Sequence, residues 1–313
     1  MMQYLVILLD DTSVSYCHCE NLHTARRLIS LDDLKAGILY AMKENLMIQF
    51  VYPDYELPKE YLDAIDSIDH HDILPWPRKG DVTVATWPSL RDSLPEREEQ
   101  LSGAVLALRI KKAELWEAAD TIATLLRHVR RLNIVITDVE TFADEDLARY
   151  SELLLRWAEV IRALWIERGE AAVQFNLLTD RMMLTRPNHC NAGVGNITLA
   201  PNGRYYLCPA FYYSDVDDSA DPQAIKNRQL LQFDHAPLCR RCDAYHCRRC
   251  VWLNRRTTRE LNTPSHEQCI VAHTERNAAR QLLASIREVA SFMPEIDIKE
   301  INYIDPFEVR KER

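Results

Sequence analysis

Cysteine is the residue type that carries the chemistry in this chain. Seven of the nine cysteines fall between Cys190 and Cys269. Cys190 and Cys208 enclose one run, and Cys239-Arg240-Arg241-Cys242 and Cys247-Arg248-Arg249-Cys250 follow as two pairs only four residues apart; Cys269 stands alone. Thiols two residues apart can turn both sulfurs to one centre, and three chemistries compete for them. Disulfides belong to oxidising compartments and dominate small secreted chains, unlike this chain of 313 residues. Zinc takes four ligands per site, and zinc ribbons separate their pairs by about 15–20 residues, so the short gap from Cys242 to Cys247 makes a poor ribbon. Iron–sulfur clusters are held by Cys thiolates, four for a complete set, and seven thiols divide into four plus three. Count and spacing favour iron–sulfur over zinc, and zinc over disulfides.

Local elements must deliver these thiols. Asn196–Ala200 predicts a strand, Asn202-Gly203 a two-residue turn and Arg204–Cys208 the returning strand, because Asn-Gly between apolar runs is a strong hairpin signal. Such a hairpin brings Cys208 back toward Cys190. Arg240, Arg241, Arg248 and Arg249 interleave with the thiols. They are either cations that favour the ligating thiolate or a solvated basic face.

Cys190, Gly203, Cys208, the group of four and the lone Cys269 together resemble the SPASM domain, the auxiliary-cluster module of peptide-modifying radical S-adenosylmethionine enzymes. The run from Ile197 through Gly203 to Pro209 is close to how such domains open. The gaps Cys242–Cys247 and Cys247–Cys250 are each one residue shorter than the usual pattern. The resemblance implies Cys190, Cys208 and Cys250 on one [4Fe-4S] cluster, with an open or non-cysteine fourth position. It implies Cys239, Cys242, Cys247 and Cys269 on a second.

The rest of the chain is ordinary globular sequence, 47% hydrophobic and 27% charged. A formal net charge of −9 argues against nucleic acid as a partner. The first apolar run stops at Asp10-Asp11 without a basic leader or cleavage site, and no stretch is long enough for a membrane span. The expected location is cytoplasmic, with no membrane partner. Apolar patterning predicts strands at 3–9, 47–52, 82–86, 105–110, 134–137 and 173–177. Helices are predicted at 59–68, 113–129, 144–167 and 277–290, with a further one capped by Ser30 and Asp33 that carries Leu34, Ile38, Leu39 and Met42 as its stripe. Alternating strands and helices predict a parallel sheet. Six units suit an α/β fold, a partial (β/α)6 barrel over 1–185. The cysteine-rich part takes 186–290, and 291–313 is a tail whose Ile296, Ile298 and Ile301 suggest an edge strand.

A six-unit barrel followed by such a module resembles the radical S-adenosylmethionine maturases, whose first strand leads into three cysteines. Here the matching positions are Asp10, Val14 and Cys17, and the glycine-rich stretch expected after the second strand is Phe50-Val-Tyr-Pro-Asp54. Cleavage of S-adenosylmethionine by this chain alone is therefore not expected. Cys17 and Cys19, beside His18 and His23, are either metal ligands at the end of a barrel strand or incidental loop thiols. Asp10, Asp11, Asp54, Asp138, Glu140 and Asp180 gather at the same mouth, for acid–base or metal work or as helix caps; Asp144 fits the cap. The opening from Gln3 to His18 and the segment Cys190–Tyr213 together resemble the CXXX repeat peptide maturases, relatives encoded with small peptides that repeat a cysteine every fourth residue. The resemblance implies maturation of a cysteine-rich precursor peptide with up to two [4Fe-4S] clusters. Two alternatives stand beside it: a non-catalytic protein that presents the peptide to a separate maturase partner, and a zinc-stabilised interaction module. No catalytic residue is assigned.

Overall fold

The computed structural model describes residues 2–169, 173–214, 221–289, 296–301, 303–305 and 307, with the side chains of all of these except 95–98. Its centre is a mixed α/β arrangement built on a nine-stranded, mostly parallel sheet. The strands are β1 (Tyr4–Leu8), β2 (Met47–Val51), β3 (His70–Pro75), β4 (Val82–Thr86), β5 (Val105–Ile110), β6 (Arg131–Ile136), β7 (Gln174–Phe175), β8 (Asn196–Leu199) and β9 (Tyr205–Tyr206). Their order is β7-β6-β5-β4-β3-β2-β1-β8-β9, open at both ends, and only the β8–β9 pair is antiparallel. The first part of the chain thus supplies seven strands where six are expected. The extra one, β3, begins His-His-Asp and ends in proline, and only Ile73 and Leu74 along it are buried. Pairing with β2 and β4 makes it a strand. The chain reaches β4 through residues 76–81 without a helix, so no helical period marks the strand off in the sequence.

β1 sits between β2 and β8, parallel to both. A parallel strand covered on both faces reads as a continuous apolar run, and Leu5-Val6-Ile7-Leu8-Leu9 is one. Leu5, Ile7 and Leu9 enter one core with helix α1 (Leu31–Glu44) and helix α2 (Lys59–Ile65). Val6 and Leu8 enter the other, larger core, which also holds Cys19, Cys208 and Trp252. The sheet thereby continues across residues 185 and 186, because β8 and β9 extend it beyond β1.

Ser30 caps α1, accepting from the Asp33 N–H at 3.0 Å and donating to Asp33 Oδ2 at 2.7 Å. The buried face is Leu34, Gly37, Ile38 and Ala41, while Leu39 and Met42 are exposed. The expected stripe is rotated because the helix lies on the hairpin at Gly37, where an added Cβ would come within 2.5 Å of Leu199 Cδ2. The hairpin loop is three residues, Pro201–Gly203, rather than two. Ala200 N–H donates to the Arg204 carbonyl at 3.0 Å, and Gly203 takes the left-handed φ of 74° that such a loop requires.

The helix expected over 113–129 divides at Ala118 into α4 (Lys112–Glu117) and α5 (Ala119–His128); α3 (Trp87–Arg97) precedes them. Helix α6 (Asp144–Arg168) buries Leu154, Trp157, Ile161 and Leu164 as its pattern predicts. The short α7 (Thr179–Met183) and α8 (Pro209–Tyr213) lead to α9 (Val251–Thr258) and α10 (His266–Arg287). Helix α10 starts well before the expected residue 277, which puts Cys269 in its first turn. In the tail, Ile298 is buried, but residues 296–301 form no strand. Among the described residues no helix is long and apolar enough to cross a membrane.

Gly37→Val is expected to lower stability by about 1–3 kcal/mol through overpacking against Leu199. This would appear as a lower urea midpoint at unchanged m-value. A midpoint at or above that of the parent would place α1 away from the hairpin.

Candidate metal centre

Four thiols face one pocket. Cys239, Cys242, Cys247 and Cys269 line it together with His189, Phe233, Arg249 and His273. A single 3-10 turn over Cys239–Arg241 brings Cys242 round, its N–H donating to the Cys239 carbonyl at 2.9 Å. Ser265 caps α10 and fixes its first turn, which carries Cys269; His273 lies one turn further along. Its Nε2 is 3.2 Å from Cys242 Sγ. His189 Nδ1 is 2.9 Å from the Cys247 carbonyl. A carbonyl only accepts, so Nδ1 carries the proton, and Nε2 is left with its lone pair, buried and without a hydrogen-bond partner.

The electrostatics of this pocket are those of neutral ligands. Burial, reinforced by Arg249, lowers His189 to about 4; burial lowers His273 to about 4 as well. Both rings are neutral at pH 7, the form that binds metals. Burial pushes the Cys239 thiol up to about 11 and raises Cys242, Cys247 and Cys269. The thiols surround the space without converging: among the described residues no group of three or more His, Cys, Asp or Glu side chains stands ready to hold an ion. The donor set, soft thiols with neutral imidazoles, nonetheless fits a thiophilic metal or cluster.

Asp243 holds this loop in place. It lies between Cys242 and Cys247 and takes a two-pronged bond from the fully buried Arg276 of α10, at 2.6 Å on each oxygen. Arg181 of α7 approaches the same carboxylate at 3.5 Å and stacks on Tyr245.

The other three thiols lie apart from this pocket. Cys208 follows β9 by two residues, and the side-chain amide of Asn196, the first residue of β8, donates to the Cys190 carbonyl. Cys250 caps α9, its sulfur accepting from the Leu253 N–H at 3.5 Å. Burial, then the nearness of Cys190, pushes the Cys250 thiol up to about 12. Burial, then Cys250 and Cys190, raises Cys208. Cys17 and Cys19, on the loop after β1, pack into the same core as these three.

The interleaved arginines separate into two kinds. Arg240, Arg241 and Arg248 are exposed. Arg249 is buried, has a left-handed φ of 43°, and donates to Asn262 Oδ1 at 2.9 Å and to the Leu231 carbonyl. Burial lowers its pKa, while Cys239 and Cys247 of one set and Cys190 of the other favour its charge. One buried cation therefore has its charge favoured by thiols of both sets.

The acidic residues at the strand ends are taken up by separate partners. Asp10 is buried and accepts from the Thr12 N–H at 2.8 Å, the Thr12 hydroxyl at 2.6 Å and Tyr55 at 2.9 Å. Asp11 pairs with Arg27 at 2.9 Å, and Asp180 with Arg131 at 2.6 Å. Asp54 lies 3.6 Å from Arg26, and Glu140 lies 3.5 Å from Arg256. Asp138 accepts from the Lys112 N–H at 2.7 Å, a capping role at α4. His23 bonds the Tyr212 carbonyl at 3.0 Å.

Beside His189, His273, Asp243 and Arg276, three more residues of the site were not anticipated from the sequence. Arg109 of β5 is buried and reaches the loop that carries Cys17 and Cys19. Glu275 and His246 are buried and meet at 3.0 Å, and Tyr150 donates to the same carboxylate at 2.6 Å. Both His246 and Glu275 line a cleft with His18 and Cys247. A usable signal existed for two of them: Arg109 is the one charge in strand β5, and Glu275-Arg276 interrupts the apolar face of α10.

No protein-family model matches the chain, and no curated protein matches it. Among solved structures, a crystal structure of Streptococcus suis SuiB bound to S-adenosylmethionine is similar, with a TM-score of 0.39 and 14% identity. The likeness covers 73% of this chain and 65% of that one, so the chain spans just under two thirds of that protein's length.

The metal-free protein is expected to lose stability as pH rises above about 9. In the unfolded chain thiols ionise near pH 8.5, whereas Cys239 holds its proton to about 11 and Cys250 to about 12 when folded. The native state then binds more protons, and stability falls through that window. Thermal unfolding from pH 8 to 11 measures it, and Cys239→Ser should flatten the slope; an unchanged slope would count against burial of that thiol.

Proposed function

We propose that this chain is an iron–sulfur protein acting in the maturation of a ribosomally made, cysteine-rich peptide of the CXXX repeat type. In this reading residues 1–185 are a radical-S-adenosylmethionine-like α/β part and 186–290 a SPASM-like part. What supports it is the partition of the thiols: Cys239, Cys242, Cys247 and Cys269 line one pocket, and Cys190, Cys208 and Cys250 lie elsewhere. The first set would hold one [4Fe-4S] cluster and the second set another. When bound, such clusters supply redox capacity and an affinity for soft sulfur ligands. This chain's own contribution is to hold the thiols half-buried, to set the buried Arg249 cation beside the four-thiol pocket and to orient neutral imidazoles into it.

S-adenosylmethionine chemistry does not fit the first strand. Of the three positions, Val14 has no donor atom, and both oxygens of Asp10 are already engaged by Thr12 and Tyr55. The same observation favours a second reading, a protein that binds the peptide and presents it to a separate maturase.

Metal analysis after anaerobic purification tests the proposal. About eight irons per chain with matching sulfide are expected for two four-iron clusters, and Cys239→Ala should lose about half. Stoichiometric zinc without iron would replace the proposal by an interaction module. For the peptide, a synthetic chain with a cysteine at every fourth residue is expected to bind the metal-loaded protein more tightly than its Cys→Ser copy in an anisotropy titration. Equal affinities would remove cysteine recognition from the account.

A further inference from the structure

The loop between β1 and α1 carries two thiols that neither proposed centre uses. It leaves β1 and returns to it. An antiparallel bridge between Asp10 and Leu28 closes its neck, and Ile29 N–H donates to the Leu9 carbonyl at 2.9 Å. Two distant elements hold its body. From β5, the buried Arg109 donates to the Cys17 carbonyl at 3.0 Å and to the Cys19 carbonyl at 2.6 Å. From α8, Tyr213 donates to the Val14 carbonyl at 3.2 Å, and its own carbonyl accepts from Leu22 N–H at 3.0 Å. Helix α8 starts at Pro209, directly after Cys208. The loop is therefore fastened to the segment that carries one of the three thiols of the incomplete set.

Cys19 and Cys208 are buried in a single core, with Cys17, Cys190 and Cys250 packed against it. Among the described residues no three of these thiols stand ready to hold an ion. Thiolates crowded into a low-dielectric interior repel one another. A bound metal inverts that relation and deprotonates its thiols outright.

We propose that the loop of Cys17 and Cys19 joins the thiolate metal centre of Cys190, Cys208 and Cys250, one of its two thiols supplying the fourth protein ligand that the three-thiol set lacks. The proposal rests on the iron–sulfur reading and deepens it. The centre then joins the loop after the central strand to the cysteine-rich segment, and Arg109 acts as a positioning residue for it through the two carbonyls it holds.

Iron content and thiol labelling of the anaerobically purified full chain test this. The Cys17→Ser/Cys19→Ser double variant is expected to lose about half of the wild-type iron, Cys239→Ala the other half, and the triple variant all of it. Differential alkylation of the wild type, read by mass spectrometry, covers the case in which the double variant does not fold. Cys17 and Cys19 should label on the order of tenfold more slowly in metal-loaded than in metal-stripped protein, together with Cys190, Cys208 and Cys250. A double variant with wild-type iron, or equal labelling of Cys17 and Cys19 in the two states, overturns the proposal and leaves the two-cluster reading standing. A wild-type chain that binds no iron removes both.

Discussion

The contact between Asp243 and Arg276 fixes the relation between the thiol loop and the rest of the molecule. Arg276 is fully buried in α10, and both carboxylate oxygens of Asp243 receive its guanidinium at 2.6 Å. Removing Asp243 would leave the buried guanidinium without its carboxylate, a loss that the partial exposure of Asp243 keeps below the about 3–5 kcal/mol of a fully buried pair. Its position matters as much as its energy. Asp243 lies next to Cys242, and Arg276 lies on the helix that brings Cys269 and His273. The pair therefore sets the distance between the two segments that line the four-thiol pocket. Helix α10 packs in turn on α6, which links that pocket to the core of the sheet.

Strand β1 is the second organising feature. Its alternate side chains feed two separate cores, and its two parallel neighbours come from opposite ends of the chain order. β8 joins it only after the chain has travelled across the sheet to β7. That return places the cysteine hairpin against the first strand, and Arg109 and Tyr213 then hold the β1 loop in register with it.

Charge balance gives these placements their chemical character. Burial keeps the thiols protonated and the imidazoles of His189 and His273 neutral, so the interior carries little unpaired charge. Arg109 and Arg249 are the exceptions, buried cations whose hydrogen-bond partners are neutral oxygens. A guanidinium held by Asn262 and the Leu231 carbonyl is well placed to offset anionic sulfur when thiolates form.

The sequence alone determined the periodic elements and the chemical type of the site. Apolar patterning located most of the strands, because a buried parallel strand must be apolar throughout, and it located α6, whose long stripe has no competing period. Ser30 with Asp33 marked the start of α1, since a capping box is a local hydrogen-bond pattern. Cysteine spacing named the residues that could act, and Asn202-Gly203 marked the hairpin. The tertiary structure decided everything that depends on distant partners. It made a strand of His70–Pro75, rotated the buried face of α1 onto Gly37, and continued the sheet through β8 and β9. It buried Arg249 while leaving Arg240, Arg241 and Arg248 in solvent, although all four look alike in sequence. It also fastened the loop of Cys17 and Cys19 to Arg109 of β5 and Tyr213 of α8. Neither contact has a sequence signature, because each joins residues roughly ninety to two hundred positions apart, and the chain's periodicities report only on near neighbours.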